Sequence, residues 1–339
     1  NQAIYDLIKD EVILVTGGGG SIGSELVRQI AEMSPKQVII YDIYENNAYD
    51  VQTSLMHDFQ KQERHLPLIV LIGSVYNEPR LKTVFELYKP TLVFHAAAYK
   101  HVPLMEESPI EAIRTNVLGT HIVSKLCNAF EVKKMILVSS DKAVRPTNVM
   151  GATKRMAERI IQTAQKASDT TVFAAVRFGN VLGSHGSVIP LFKRQIEAGG
   201  PVTVTDKEVT RYFMTIPESV SLILEAATFA KDGEIFVLDM GEPVRIVELA
   251  EKMIQLTGLR PYKDIDIEFI GLRKGEKQFE ELILDESMPK THNPKIFIDP
   301  TKQALEEKWF ESIHSLDELT EESIIKYLKQ QDLNYHPKT

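Results

Sequence analysis

Three residues in a row, Ser140-Asp141-Lys142, combine a hydroxyl, a carboxylate and an ammonium, the set needed to move protons at a carbon–oxygen centre. Twelve residues beyond Lys142 stands a second lysine, Lys154, four places after Met150. The apolar run 135–138 that precedes the triplet reads as a buried strand of a parallel sheet. Pro146 and Thr147-Asn148 supply breaker and cap for a helix over about 150–167. On that helix Met150 and Lys154 share a face. A strand end would thus present Ser140, Asp141 and Lys142 to a helix bearing Lys154, where open α/β sheets bind their ligands. The competing bland reading makes Asp141 and Lys142 strand caps and Met150 core filler.

Near the start, a short apolar run, 11–16, leads into Gly17, Gly20, Ser21, Ile22 and Gly23 and then an amphipathic helical pattern. Glycines at that spacing allow a tight turn, close approach of a pyrophosphate and tight helix–strand packing, with the anion on the helix N-terminus. The next strand, 37–42, ends in Asp42, nineteen residues after Gly23, where a carboxylate bonds the adenosine ribose. That charge repels a 2′-phosphate, so NAD is expected rather than NADP. Further strands are expected at 66–72, with Pro67 tolerated at its start, and at 91–95. Ala96, Ala97 and Ala98 are small enough for a cofactor to lie against, and Lys100 follows them at the same edge. The segment 109–130 reads as one helix, and Asn116 inside it hints at a backbone or water contact. With a strand at 171–177, six strands alternate with helices, the signature of a doubly wound parallel sheet.

The chain has 339 residues, net charge −8 and 43% hydrophobic residues. This composition suits about two globular domains and disfavours nucleic-acid binding. We expect an NAD-binding domain over 1–177, a smaller lobe interleaved with the sheet over 178–300, and a tail over 301–339 with a helix at about 316–329. The lone Cys127 excludes an intramolecular disulfide, no metal site is expected, and no apolar run reaches the ~20 residues of a membrane span. The N-terminus does not read as a signal peptide, which makes a soluble, cytoplasmic protein the expectation.

The strings at 15–26, 95–106, 139–155, 177–190, 211–217 and 273–277 resemble the extended short-chain dehydrogenase/reductases of the polysaccharide-biosynthesis branch. Over about 11–284 the chain is similar to the configuration-retaining UDP-N-acetylglucosamine 4,6-dehydratases, in a form without their membrane helices. The resemblance implies a Rossmann-type fold, NAD, UDP-GlcNAc and a homo-oligomer. It also implies a 4-keto-6-deoxy product, formed by oxidation at C4, loss of water across C5–C6 and hydride return to C6. It gives Lys154 to the nicotinamide ribose, Ser140 to the C4 oxygen, Asp141 to the departing C6 hydroxyl and Lys142 to the C5 proton. Lys142 would need a pKa far below ~10.4, pushed down by burial beside the nicotinamide cation. Asn180, Ser187, Val188, Arg211, Arg273 and Glu276 are the implied substrate contacts. The two arginines suit a diphosphate and Glu276 a ribose diol. Met150 stands where the wider superfamily has a Tyr four residues before the Lys, and a thioether has no proton to exchange. Alternatives are a C5-inverting dehydratase, a 4-epimerase, or a non-catalytic NAD-binding regulator.

Overall fold

Val12–Thr16 is wholly buried, and as the central strand β1 it must be apolar because helices cover both faces of the sheet. The structure is a computed structural model that describes residues 1–184, 186–282, 288–306, 309, 313–318, 320–331 and 333–337. Within it the chain continues through β2 (Gln37–Asp42), β3 (Leu68–Ile72), β4 (Leu92–His95), β5 (Lys134–Val138) and β6 (Val172–Arg177). Ile235–Leu238 (β7) and Ile296–Asp299 (β8) join the same sheet, in the order β8-β7-β6-β5-β4-β1-β2-β3. Every pairing is parallel except β7 with β8. This is a Rossmann-type sheet, whose strand order reverses between β1 and β4. Pro67 stands just before β3, where it needs no ladder N–H, and its carbonyl accepts from the Val38 amide at 2.7 Å.

The segment 178–300 therefore contributes two strands to the main sheet besides small pairs of its own. Asn180–Val181 pairs with Phe213–Met214, Val202–Val204 with Ile267–Phe269, and Thr210–Arg211 with Val244–Arg245. The segment 109–130 is not one uniform helix. Pro109–Ala112 and Gly119–Ala129 are α-helical, and Ile113–Leu118 between them is a π-helix. Asn116 is the cause we assign: its side chain leaves the helix to bond Tyr99 N (2.9 Å), Tyr99 O (3.0 Å) and Thr153 Oγ1 (3.0 Å).

The helix expected over about 150–167 is found at Val149–Lys166 and is buried almost all round. One side lies on the sheet. The other is covered by the tail, through Leu305, Trp309, Leu316, Ile324 and Leu328. The tail's α-helix is Glu321–Gln330, shorter than expected, after a 3₁₀ turn at Ile313–Glu318. Arg177 is fully buried at the end of β6 and bonds Glu158 on this helix (2.8 Å) and Asp299 on β8 (3.0 Å). Burial alone would raise the Glu158 carboxyl, but the Arg177 guanidinium overrides it and holds it at about 2. Removing one partner of such a network strands the others. Arg177→Met should therefore cost about 3–5 kcal/mol in urea unfolding, leaving Asp299 buried without its cation and Glu158 with Arg155 in place of two.

Candidate active site

A single cleft of about 570 Å³ runs along the carboxyl ends of the strands. Its lining joins the glycine turn after β1, Ala96 and Ala98 after β4, the Ser139–Ser140 strand end, and the helix face carrying Met150 and Lys154. Lys100, Asn180, Ser187, Val188, Arg211, Arg273 and Glu276 line it too, so the sequence-derived residues of both groups converge on one cavity. Four expected contacts stand outside the lining. Ala97 is behind the glycine turn, Asn116 behind the Tyr99 wall, Asp42 beside the turn, and Asp141 beneath Ser140. His185 and residues 283–284, within the stretches that carry the resemblance, lie outside the described residues.

The glycine turn is held by contact geometry. Gly17 has φ +68°, and a Cβ there would come within 2.6 Å of the Ala97 amide. A Cβ on Gly23 would stand 2.0 Å from the Gly17 carbonyl, so only hydrogen lets the Ser21–Ala31 helix start this close to β1. Asp42 accepts from the Gly19 amide (2.8 Å) and the Tyr44 amide (2.8 Å), fixing the turn beside it. Behind this wall His95 is fully buried and neutral, lowered to about 3 by burial and by the Lys154 charge. Thr120 donates its hydroxyl to Asn116 O, so it accepts from His95 Nε2–H (3.0 Å), and Nδ1 accepts from Thr16 (2.6 Å).

At the catalytic end, Asn148 caps the helix by accepting from the Gly151 amide (2.7 Å). Glu106 accepts from the Val149 amide (2.7 Å), an anchor that nothing near it in sequence announces. Ser140 caps the short turn Asp141–Ala143 and donates to Asp141 Oδ1 (2.9 Å). Lys142 Nζ donates to the same oxygen (3.0 Å) and to Asn180 Oδ1 (3.3 Å). Asp141 is fully buried, and its path to the cleft runs through Ser140 and Lys142. Lys154 Nζ donates to the Val138 carbonyl (2.6 Å) and is lowered to about 8, burial outweighing the nearby Glu158.

Lys142 corrects a sequence expectation. Burial does oppose its charge, but the carboxylates of Asp141 and Glu280 outweigh burial and hold it above the ordinary lysine value. At rest it is an ammonium. Lys100, across the cleft, is lowered, by burial and then by the Lys142 charge. Arg211 also differs from expectation. Its guanidinium is spent on Glu276 Oε1 (3.0 Å) and on the carbonyls of Thr210, Lys277 and Gln278. Glu276 in turn accepts from Thr205 (3.1 Å) and the Arg273 amide (3.2 Å). These two residues brace the 273–278 loop, and the Arg273 side chain, free of ion pairs among the described residues, is left facing the cleft. The loop is also tied to the catalytic turn. Gly275 O accepts from Thr147 Oγ1 (3.1 Å) and Asn148 Nδ2 (3.0 Å), and Lys277 Nζ donates to Val144 O (2.9 Å).

Comparison with known proteins places the chain. Residues 13–301 match the family model described as polysaccharide biosynthesis protein. CapD of Staphylococcus aureus, a capsular polysaccharide biosynthesis protein, is 52% identical over 276 residues. EpsC of Bacillus subtilis, described as a probable polysaccharide biosynthesis protein, is 50% identical over 295. These alignments cover 81% and 85% of this chain but 45% and 48% of the relatives, so the chain spans about half their length. A UDP-glucose 4-epimerase of Rickettsia bellii is 36% identical, over 84% of this chain and 81% of its own. The X-ray structure of Pen from Bacillus thuringiensis superposes with TM-score 0.77 at 39% identity, covering 88% of this chain and 91% of Pen. The dTDP-glucose 4,6-dehydratase DesIV of Streptomyces venezuelae, solved with NAD bound, shares the fold with TM-score 0.68 at 22% identity, over 80% and 89%. No helix among the described residues is long and apolar enough to cross a membrane.

Lys154 makes a prediction of its own. Its amine is lowered in the folded state, so between about 8 and 10.5 the unfolded chain holds the proton and the folded chain does not. Stability contributed by this group therefore rises with pH across that window. The difference in unfolding free energy between the native protein and Lys154→Met should shift in favour of the native protein as pH rises from 8 to 10, read by denaturant titration. The chain belongs to the polysaccharide biosynthesis protein family.

Proposed function

We propose that this protein is an NAD-dependent UDP-N-acetylglucosamine 4,6-dehydratase. The carrying observation is the turn Ser140-Asp141-Lys142, hydrogen-bonded as a unit and facing Met150 and Lys154 across one cleft with the glycine turn. The glycine turn fits NAD, because the space a Cβ would fill at Gly17 and Gly23 is closed and the amide end of the Ser21–Ala31 helix stands open to the cleft. Gly20, Ser21 and Ile22 would hold the pyrophosphate, Asp42 the adenosine ribose and Lys154 the nicotinamide ribose. The bound cofactor supplies hydride acceptance at C4 and hydride return at C6.

The chain's own residues supply the proton chemistry. Ser140 Oγ bonds the C4 oxygen and connects it to Asp141. Asp141 provides the proton that turns the C6 hydroxyl into water. Lys142 removes the C5 proton and returns it on the same face, which retains configuration. Met150 has no proton to give, so it packs against the sugar and leaves acid–base work to the turn. Ser187 Oγ is buried without a partner among the described residues at the N-terminus of the Val188–Glu197 helix and, with Arg273, suits the diphosphate.

Incubation with UDP-GlcNAc should remove one water, read by mass and proton NMR, with no accumulation of NADH. Stoichiometric NADH would mean a plain dehydrogenase. Asp141→Asn and Lys142→Ala should each cut turnover by ~10²–10⁴-fold with NAD binding little changed. Binding titrations should favour NAD over NADP because of Asp42. A 4-epimerase reading is favoured by the Rickettsia relative. It predicts a product of unchanged mass, and at position 150 it lacks the phenol such chemistry uses.

A further inference from the structure

Glu280 lies 138 residues after Lys142 and belongs to none of the groups assigned above. Its side chain is only 3% exposed, and its Oε1 is 3.5 Å from Lys142 Nζ. It does not line the cleft, and its Oε2 has no hydrogen-bond partner among the described residues. Lys142 therefore donates hydrogen bonds to Asp141 and Asn180 and forms an ion pair with Glu280. The other charges around it are Arg211 from the Thr210–Arg211 strand, Lys277 from the bracing loop and Lys100 from the loop after β4. Lys277 is turned to the Val144 carbonyl and to Glu281 at 3.6 Å. The dehydration proposed above needs Lys142 as an amine, yet at rest the lysine is an ammonium between two carboxylates. Asp141 is already occupied, since it takes the C4 hydroxyl proton through Ser140 and passes it on to the C6 oxygen. One neighbour remains to take the proton from nitrogen.

We infer that Glu280 is the positioning residue for Lys142, holding it as an ammonium at rest and taking one of its protons during turnover. This rests on the dehydratase reading. In the step, an Nζ–H bond breaks and an Oε–H bond forms on Glu280, leaving the electron pair on nitrogen. That pair then takes the C5 proton, the C5–H electrons become the C5–C6 double bond, and the C6–O bond breaks to release water with Asp141's proton. Lys142 later gives the C5 proton back to C5 and recovers its own from Glu280, so the pair ends charged as it began. A charged lysine and a charged carboxylate, or a neutral amine and a neutral acid, are the same pair with one proton moved. Exchange between the two leaves the buried net charge unchanged, so burial raises little barrier against it.

Two measurements on the full chain test this, with Glu280→Asp as the carboxylate-keeping control. In substrate-free protein, NMR of ¹³Cε-labelled lysine should show the Lys142 pKa falling in Glu280→Gln. In turnover of UDP-GlcNAc, the native protein and Glu280→Asp should be flat across neutral pH. Glu280→Gln should be at least about tenfold slower at pH 7 and recover about tenfold per pH unit, because its lysine must lose a proton to solvent. A packing defect would slow turnover by the same factor at every pH. The inference is overturned if the Lys142 pKa is unmoved in Glu280→Gln, if that variant turns over like the native protein, or if its loss is independent of pH. Should the native protein fail to dehydrate UDP-GlcNAc, the reaction assignment falls, while the NMR titration still reads the Lys142–Glu280 coupling on its own.

Discussion

Arg177 carries a full positive charge at a position with no exposure to water, and the site depends on how that charge is met. Glu158 meets it from the Val149–Lys166 helix, Asp299 from β8, and the same Glu158 accepts from Ser139 at the end of β5 (2.7 Å). Three sheet strands and one helix are thereby locked in mutual register at the edge where the chemistry sits. An apolar contact could bring these elements together, but it would not fix their axial position as directional charge-assisted bonds do. Lys154, four residues before Glu158 on the same helix, inherits that position and reaches Val138 O.

On this frame the site keeps its cations in different states by placement alone. Lys154 donates to a backbone carbonyl and sits low, while Lys142 is embraced by carboxylates and sits high. Two lysines on facing elements thus differ in readiness to part with a proton.

Most of this architecture could be read from the chain because its signals are local. Apolar runs, the glycine spacing, Asp42 at a strand end and Asn148 ahead of a helix each declare themselves within a few residues. Asn116 was a partial success: an awkward residue for a helix, it does bond backbone, but its geometry also distorts the helix into a π turn. What escaped the sequence depends on long-range pairing. Glu280 and Lys142, Glu106 and Val149, Arg211 and Glu276 meet only after folding, and no periodicity links them. Arg211 shows the hazard well: beside a cleft it suggests a phosphate ligand, yet its donors are consumed in bracing a loop. The lysine between two acids could not be foreseen either, since composition reveals burial but not the company a buried group keeps.

The bonds from Gly275 and Lys277 to Thr147, Asn148 and Val144 make the 273–278 loop and the catalytic turn a single mechanical body. If the loop tightens around a nucleotide, the turn is stiffened with it, and the free energy of that stiffening appears in the affinity for the nucleotide. Linkage is reciprocal. Under the function proposed above, a sugar settled against Ser140 therefore holds its nucleotide more firmly than the nucleotide would be held by itself, and a spent sugar that loosens the turn slackens the grip on its own handle.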